Sequence, residues 1–280
     1  MLITGSSAEV RKQVERARSS GKTVGFVPTM GALHKGHISL VEQSKKECNY
    51  TVVSVFVNPT QFNDKDDYKR YPRVPEEDSK MLELAGCDLV FMPTEQEIYP
   101  KPDTRTFNFE PLDTVMEGAF RPGHFNGVAQ VVSRLFDIVQ PDKAFFGQKD
   151  FQQLAIIRQL VRQLSSPVTI VGCDIVRETD GLAMSSRNML LNPQQRQAAP
   201  LIFQTLQKAK EQVNKLTPEQ LKAYVTEQIN VNSELKTEYA DIVDADNLQP
   251  IKGWNDACYI QLCVAVLVGK IRLIDNIKLA

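Results

Sequence analysis

The chain has 280 residues, of which 42% are hydrophobic and 24% are charged, a balance that excludes a disordered protein and predicts one large or two modest globular domains. Its formal net charge of −1 shows no excess of positive charge of the kind that attracts nucleic acid or an anionic membrane, so we expect small-molecule partners. The N-terminus lacks the basic and long apolar segments of a signal peptide, and the longest apolar run, residues 259–268, is about half a membrane span, so we expect a cytoplasmic protein.

The cysteines are odd in number and form no C-x-x-C pair; they are Cys48, Cys87, Cys173, Cys258 and Cys263. A disulfide framework and a structural zinc site are therefore both disfavoured. We expect reduced thiols in the core.

In chain order, apolar β-branched runs alternate with helical patterns as far as about residue 176. The predicted strands are residues 23–27, 51–57, 88–92, 143–146 and 167–173, and the predicted helices are residues 8–18, 37–48, 75–84, 128–139 and 150–164. This alternation is typical of an α/β fold with a doubly wound parallel sheet. Ligands in such folds bind at the carboxyl ends of the strands.

Beyond about Val176 the composition changes. Polar helices are predicted at residues 192–214 and 218–230, followed by strands around residues 239–243, 258–268 and 271–277. We therefore expect a catalytic domain over residues 1–176 and a smaller α+β lid domain over residues 177–280.

Two of the chain's three histidines, His34 and His37, stand in residues 28–37 (PTMGALHKGH), directly after the first predicted strand. A strand that ends in a Pro/Gly turn and leads into a helix presents the helix N–H groups to a ligand, and phosphate suits that position. Gly36 lets the backbone approach such a ligand closely. Two imidazoles can donate to phosphate oxygens and become cationic as charge builds on a leaving group. The alternatives are ordinary turn histidines, or a metal pair, which is disfavoured because no third ligand is evident.

Two further turns also present polar side chains. Residues 56–62 close a buried strand with a rigid turn that carries Gln61, whose amide can bind a hydroxyl or a carboxylate. Residues 121–127 form a turn-rich entry to a helix, and a structural role for His124 there is as reasonable as a functional one.

The remaining two segments each contribute a cation. Residues 145–153 run from a strand through a glycine turn into a helix and place Lys149 at the helix N-terminus, with Gln153 one turn further on. Residues 180–188 form a Gly- and Ser-rich stretch with Arg187, the kind of loop that can close over a triphosphate. Taken alone, Lys149 would be read as a solvated side chain and the loop as ordinary surface.

Four of these segments, taken together and in this order, resemble the pantoate–β-alanine ligase family. They are residues 28–37, 56–62, 146–154 and 180–188, and the resemblance continues to residues 272–276, so that it covers essentially the whole chain. The H-x-G-H turn and the M-S-S-R loop are similar to the two signature motifs of class I aminoacyl-tRNA synthetases. The resemblance implies a Rossmann-like fold of the nucleotidyltransferase superfamily and ATP-dependent condensation of (R)-pantoate with β-alanine through a pantoyl-adenylate, which releases pyrophosphate and AMP.

The resemblance also implies roles for individual residues. The catalytic residues are His34, His37, Lys149 and Arg187, with His37 at the position that the family treats as a proton donor. The ATP-binding residues are Met30, Gly31, Ala32, Leu33, His34, Lys35, Gly36, His37, Gly147, Gln148, Lys149, Asp150, Val176, Met184, Ser185, Ser186 and Arg187. The residues expected to hold pantoate or β-alanine are Met30, Gln61 and Gln153. Where the family often has Glu, this chain has Gln148, and we assign its side chain no role.

The partners implied in this way are ATP as a substrate, Mg²⁺, pantoate, β-alanine and a second copy of the chain in a homodimer. Acidic residues 76–78 are candidates for organising Mg²⁺, although the sequence identifies no ligand set. Two rival functions stay open at this point: a nucleotidyltransferase that acts on a phosphate-bearing substrate, and a catalytically inactive ATP-binding regulator.

Overall fold

The N-terminal part of the fold is a six-stranded parallel sheet. In the computed structural model, which describes residues 1–63 and 65–280, its strands are β1 (Leu2–Thr4), β2 (Val24–Thr29), β3 (Tyr50–Val55), β4 (Leu89–Phe91), β5 (Lys143–Gly147) and β6 (Thr169–Cys173). Their spatial order is β1-β4-β3-β2-β5-β6. The chain winds outward from β2 in one direction and from β5 in the other, so the topological switch point lies between these two neighbouring strands.

The helices follow the strands in the alternating pattern that the sequence predicts. They are α1 (Ser7–Ser19), α2 (Lys35–Glu47), α3 (Lys65–Arg70), α4 (Pro75–Leu84), α5 (Glu95–Ile98), α6 (Met116–Phe120), α7 (His124–Val139), α8 (Phe151–Gln163), α9 (Pro193–Ala198), α10 (Leu201–Lys210) and α11 (Pro218–Asn230). Short 3₁₀ turns occur at Pro59–Gln61, Gln148–Asp150 and Ser186–Leu190. Leu40 and Val41 of α2 and Leu82 of α4 pack in one core cluster with the buried valines of the central strands.

The C-terminal part contains a separate antiparallel sheet of β7 (Leu235–Asp244), β8 (Ile260–Val268) and β9 (Ile271–Lys278), in that spatial order. Its core includes Leu206 of α10, Leu221 of α11 and Val264 of β8, each fully buried. The predicted fold class, a doubly wound parallel sheet with a smaller α+β part, is therefore confirmed.

The chain folds into two compact units. The first comprises Met1–Phe109, Arg121–Gln148 and Ile156–Asp174, and the second comprises Glu110–Phe120, Lys149–Ala155 and Ile175–Ala280. The chain enters the second unit for the last time after Asp174, two residues before the predicted domain boundary at residue 176. Two short segments that precede this point in the chain, Glu110–Phe120 and Lys149–Ala155, also belong to the second unit. The functional division into a catalytic domain (residues 1–176) and a lid domain (residues 177–280) stays a prediction.

Several details differ from the sequence-based expectations. Strand β1 was not predicted, and the single helix expected at residues 192–214 is broken after α9 because Pro200 has no N–H to continue the helical hydrogen bonds. The expectation of buried thiols is wrong for Cys258, which is exposed, whereas the other four cysteines are buried. In the described part of the chain, no helix combines the length and the apolar character needed to cross a membrane.

Candidate active site

The turn between β2 and α2 is built around a buried carboxylate. Gly31 and Ala32 adopt left-handed conformations, with φ of 81° and 49°. Two successive backbone N–H groups therefore point at one anion, the side chain of Asp78: the N–H of Ala32 donates to Oδ2 at 3.0 Å and that of Leu33 to Oδ1 at 2.7 Å. A Cβ on residue 31 would lie 2.9 Å from Asp78 Oδ2, so the position requires glycine.

The sequence interpretation did not identify Asp78 as the residue that holds this turn. Asp78 lies in α4 with 1% of its surface exposed, and burial raises the pKa of its carboxyl while the two N–H donors oppose the shift. Both oxygens hold the turn, which makes Asp78 a poor magnesium ligand. Among the described residues there is also no cluster of three or more His, Cys, Asp and Glu side chains able to bind a metal ion.

The two histidines cap the N-terminus of α2. Nδ1 of His34, the N-cap residue, accepts the N–H of Gly36 at 3.2 Å, and Nδ1 of His37 accepts the N–H of His34 at 3.3 Å. The ring centroids are 4.0 Å apart. Because each Nδ1 is an acceptor, each neutral ring carries its proton on Nε2. The site therefore presents two Nε2–H donors at the positive end of a helix, a suitable arrangement for phosphate oxygens.

Gln61 and Met30, both predicted to bind pantoate, are in contact in the first unit. Gln61 ends the 3₁₀ turn after β3, and its Nε2 lies 3.2 Å from Met30 Sδ. The Nδ2 of Asn58 donates to Gln61 Oε1 at 3.1 Å and to the carbonyl of Gly127 at 3.2 Å. Asn58 is itself 1% exposed, so a buried amide sets the orientation of Gln61.

His124, whose role the sequence left open, holds the main chain of Gln61. The residue is 6% exposed, and Nδ1 lies 2.8 Å from the Gln61 carbonyl oxygen. A carbonyl can only accept, so Nδ1 carries the proton and Nε2 accepts from the guanidinium of Arg121, 3.2 Å away. His124 thus acts on the site through Gln61.

A cavity of about 280 Å³ lies in the first unit at the carboxyl ends of β2, β3 and β4. Its walls include Met30, Gly31, Phe56 and Asp78. Two of the predicted site residues, Met30 and Gly31, therefore line a space large enough for a small organic molecule.

The end of β5 and the segment that follows it carry the predicted residues Gly147, Gln148, Lys149, Asp150 and Gln153. Gly147 ends β5 beside β2, and Gln148 donates from Nε2 to Asp174 Oδ1 at 3.3 Å. In the second unit, Lys149 Nζ lies 4.0 Å from Asp150 Oδ1, and the Lys149 side chain is 19% exposed. Gln153 lies in the first turn of α8. Lys149 is thus mostly covered, which weakens the interpretation as a solvated surface lysine.

Residues 176–184 form a hairpin in the second unit. The N–H of Met184 donates to the Val176 carbonyl at 3.0 Å, and an isolated β-bridge joins Arg177 to Ala183. The hairpin therefore brings together Val176 and Met184, two of the residues expected to bind ATP.

The 3₁₀ turn Ser186–Leu190 follows the hairpin and contains the other predicted residues of this loop. Ser185 caps the turn by accepting the N–H of Arg187 at 3.3 Å. The N–H of Asn188 also donates to the Ser185 carbonyl at 2.9 Å, so this segment has a hydrogen-bonded backbone.

Comparisons with known proteins identify the family. A sequence model described as Pantoate-beta-alanine ligase matches residues 2–278. Curated relatives named pantothenate synthetase from Porphyromonas gingivalis W83 and from Bacteroides thetaiotaomicron are each 53% identical over 278 residues, which is 99% of this chain and 99% of each relative.

Solved structures agree. The pantothenate synthetase of Thermus thermophilus superposes with a TM-score of 0.93 at 43% identity, over 100% of this chain and 99% of that one. The pantoate-β-alanine ligase of Francisella tularensis, solved in complex with beta-gamma ATP and β-alanine, gives 0.82 at 35% identity, over 99% and 97%. The chain belongs to the pantoate–β-alanine ligase family, whose members are ATP-dependent ligases that join pantoate to β-alanine.

Proposed function

We propose that this chain makes pantothenate in two steps, adenylation of pantoate by ATP and then transfer of the pantoyl group to β-alanine. The observation that carries the proposal is the pair of histidines that caps α2 at the carboxyl end of β2. A carboxylate is a poor acyl donor because its leaving group would be oxide, so the acid must be activated before an amine attacks it. The beta-gamma ATP and β-alanine bound to the Francisella ligase support ATP and β-alanine as substrates here.

In the first step, a carboxylate oxygen of pantoate attacks the α-phosphorus of ATP. A new P–O bond forms, and pyrophosphate leaves with the electron pair of the broken bond. We assign His34 and His37 to this step because their Nε2–H groups donate from the positive end of α2, where they stabilise charge on the phosphate oxygens. Lys149 and Arg187 add two cations, so that positioning and electrostatics are sufficient without a covalent enzyme intermediate.

The remaining ATP contacts are proposed for residues of the same segments. Met30, Gly31, Ala32 and Leu33 belong to the β2–α2 turn, and Lys35 and Gly36 begin α2. Gly147 ends β5, and Gln148 and Asp150 follow it. Val176 and Met184 belong to the hairpin, Ser185 caps the 3₁₀ turn, and Ser186 begins it. Because the N–H groups of Ala32 and Leu33 already donate to Asp78, these two residues would line the site and leave phosphate binding to other groups.

Pantoate presents hydroxyls and a carboxylate, which need amide donors and acceptors. We assign them to Gln61 and Gln153, with Met30 as an apolar wall. The contact of Gln61 with Met30 and the buried amide of Asn58 support a preformed surface for the acid.

Mg²⁺ fits this chain as an ion that is held mainly by the phosphates of ATP. Magnesium commonly binds phosphate oxygens with one or two carboxylates and several waters, and it would neutralise phosphate charge. Both oxygens of Asp78 accept backbone N–H groups, so Glu76 and Glu77, exposed in the first turn of α4, are the carboxylates from residues 76–78 that we propose for the ion.

In the second step, the amine of β-alanine attacks the carbonyl carbon of pantoyl-adenylate, the amide C–N bond forms, AMP leaves with the electrons of the broken C–O bond, and the attacking nitrogen releases a proton to solvent. Water must be kept from the adenylate, and we propose that residues 180–188 and the C-terminal part close during the reaction. We further propose a homodimer in the cytoplasm, as the family resemblance implies. Light scattering of the purified protein tests the dimer, and a mass of one chain would exclude it.

The experiment that tests the function is ATP–pyrophosphate isotope exchange with Mg²⁺, with and without D-pantoate and without β-alanine. Exchange that depends on pantoate is the expected result, and subsequent addition of β-alanine must then yield pantothenate and AMP. A folded sample that binds ATP but gives no exchange would contradict the proposal. It would favour a nucleotidyltransferase for phosphate-bearing substrates or an inactive ATP-binding regulator.

A further inference from the structure

Two adjacent buried residues of β9, Asp275 and Asn276, contact two different segments of the second unit. They are 4% and 3% exposed and belong to residues 272–276, the last segment of the family resemblance, for which the reaction described above has no use. Successive side chains of a strand point to opposite faces, so the pair can reach in two directions. Asn276 reaches the segment that carries Lys149, and Asp275 reaches the hairpin of residues 176–184.

Asn276 fixes the main chain of Lys149. Its Nδ2 donates to the Lys149 carbonyl oxygen at 2.9 Å, while its Oδ1 accepts from Nε2 of Gln261, itself 4% exposed, at 2.6 Å. A carbonyl can only accept, so the orientation of the Asn276 amide is determined by its partners. The backbone from which the Lys149 ammonium extends is thereby fixed.

Asp275 fixes the hairpin through Arg177. Its two carboxylate oxygens lie 2.6 and 2.9 Å from the two terminal nitrogens of Arg177, and the same guanidinium donates to the Gly181 carbonyl at 3.1 Å. The guanidinium also lies 3.6 Å from the ring centroid of Phe203. Removing one partner from a buried, bidentate ion pair leaves an uncompensated charge, so the hairpin is held firmly.

We propose that Asp275 and Asn276 are positioning residues for the adenylation step: Asn276 aims the Lys149 ammonium, and Asp275, through Arg177, holds the hairpin that leads to Arg187. The inference rests on the roles proposed above for Lys149 and Arg187. Two adjacent residues of β9 therefore hold in place the backbone segments of both proposed cations. A site whose charged groups are fixed in advance does not need to rearrange them as charge develops in the reaction.

A double-mutant cycle tests the positioning role proposed for Asn276. Asn276→Asp is nearly isosteric and keeps the acceptor for Gln261, but it places an oxygen opposite the Lys149 carbonyl. We expect a fall of about tenfold or more in the rate of pantoate-dependent ATP–pyrophosphate exchange at saturating pantoate, since displacements near 1 Å can cost about 10²-fold. In a Lys149→Ala background the same change should lower the residual rate by less than about threefold, because the ammonium that it aims is absent.

The control is Trp254→Phe, which removes another bond from a side chain to a backbone carbonyl in the same unit, Nε1 to Leu216 at 2.9 Å. It should lower the melting temperature without changing the exchange rate. An equal fold-loss from Asn276→Asp with and without Lys149 would overturn the positioning role while leaving Lys149 its own. A Lys149→Ala variant that keeps the wild-type rate would instead refute the proposed function of Lys149. If Asn276→Asp does not fold, Asn276→Ser enters the same cycle.

The positioning role proposed for Asp275 is tested with Asp275→Asn. If the Asp275→Asn variant does not fold, Arg177→Lys takes its place. We expect the Michaelis constant for ATP to rise about tenfold, and hydrogen exchange to accelerate at the N–H groups of Glu178 and Met184, which the hairpin bonds protect. The pantoate constant should change less than twofold. Unchanged hairpin exchange and an unchanged ATP constant in a folded variant would overturn this half of the proposal.

Discussion

Asp78 and Leu33 are 45 positions apart, yet Oδ1 of Asp78 accepts the backbone N–H of Leu33 at 2.7 Å. The residue after Leu33 is His34, the N-cap of α2. A buried side chain of one helix thereby sets the path of the backbone that presents both histidines of the site.

Asp78→Asn tests this link. The amide keeps one acceptor oxygen but turns an NH₂ group toward the other backbone N–H, so we expect a loss of about 2 kcal/mol in the free energy of unfolding, the range for a bond to a charged group. The misplaced histidines should slow pantoate-dependent exchange about tenfold or more. Urea unfolding and isotope exchange measure the two effects. Glu83→Gln, an exposed change in the same helix, is the control, and wild-type exchange by a folded Asp78→Asn protein would refute the link.

The helix cap that His37 forms and the phosphate donor that we propose for it can be separated by two substitutions. His37→Asn places an amide oxygen where Nδ1 accepts the His34 N–H but has no group at Nε2, so it should keep the stability and lose about 10²–10³ in adenylation rate. His37→Gln places an NH₂ group near Nε2 and should recover part of that rate. Thermal melts and exchange rates are the measurements. Similar rates for the wild type and the Asn variant would exclude Nε2–H as a donor.

The elements that the sequence predicts well are those with a strong local signal. The alternation of apolar β-branched runs with helical periods locates β2 to β6 and α4, and the order of the motifs identifies the family. β1 escapes detection because three residues, two of them exposed, carry no period, and only its parallel pairing with β4 makes it a strand.

Long-range partners are a different case. Nothing near residue 78 indicates that its carboxylate accepts N–H groups from residues 32 and 33, and nothing near residue 276 indicates its bond to Lys149. Such contacts depend on the folded topology. The sequence therefore names the groups that we propose act on the substrate, while the contacts of the residues that hold them appear only in the structure.

Substitutions of Gln61 and His124 should weaken the binding of pantoate more than the binding of ATP. Losing the Gln61 amide in Gln61→Ala should raise the pantoate dissociation constant about tenfold, equivalent to about 1.4 kcal/mol, with ATP affinity nearly unchanged. His124→Ala removes the donor to the Gln61 carbonyl and should weaken pantoate binding to a lesser degree. His124→Asn, whose Nδ2 can replace the Nδ1–H donor, should restore it. Titration calorimetry with each ligand is the measurement, and equal losses for both ligands would contradict these assignments.

Asp103 should make the stability of the first unit depend on acid pH. Its side chain is 2% exposed and lies 2.6 Å from both Arg105 and Arg134, and the hydrogen bonds from Arg105 hold the pKa of its carboxyl well below the usual range. A carboxyl whose pKa is lower in the folded state contributes stability that is complete above its unfolded pKa, about 3.9, and that declines as the pH falls below it.

Asp103→Asn should therefore lower the free energy of unfolding by about 2 kcal/mol at pH 7, the scale for hydrogen bonds to a charged group, because the side chains of Arg105 and Arg134 are themselves 40% and 26% exposed. The difference in the free energy of unfolding between wild type and this variant should be constant between pH 7 and pH 5. Below pH 4 it should shrink by up to about 1.4 kcal/mol per pH unit. Urea unfolding of both proteins across this range gives the difference directly, and other carboxyls cancel because both proteins contain them. The exposed Asp137→Asn change should stay within about 0.5 kcal/mol throughout. A difference that stays level or widens below pH 4 would mean that the ion pairs of Asp103 do not stabilise the folded state through its lowered pKa.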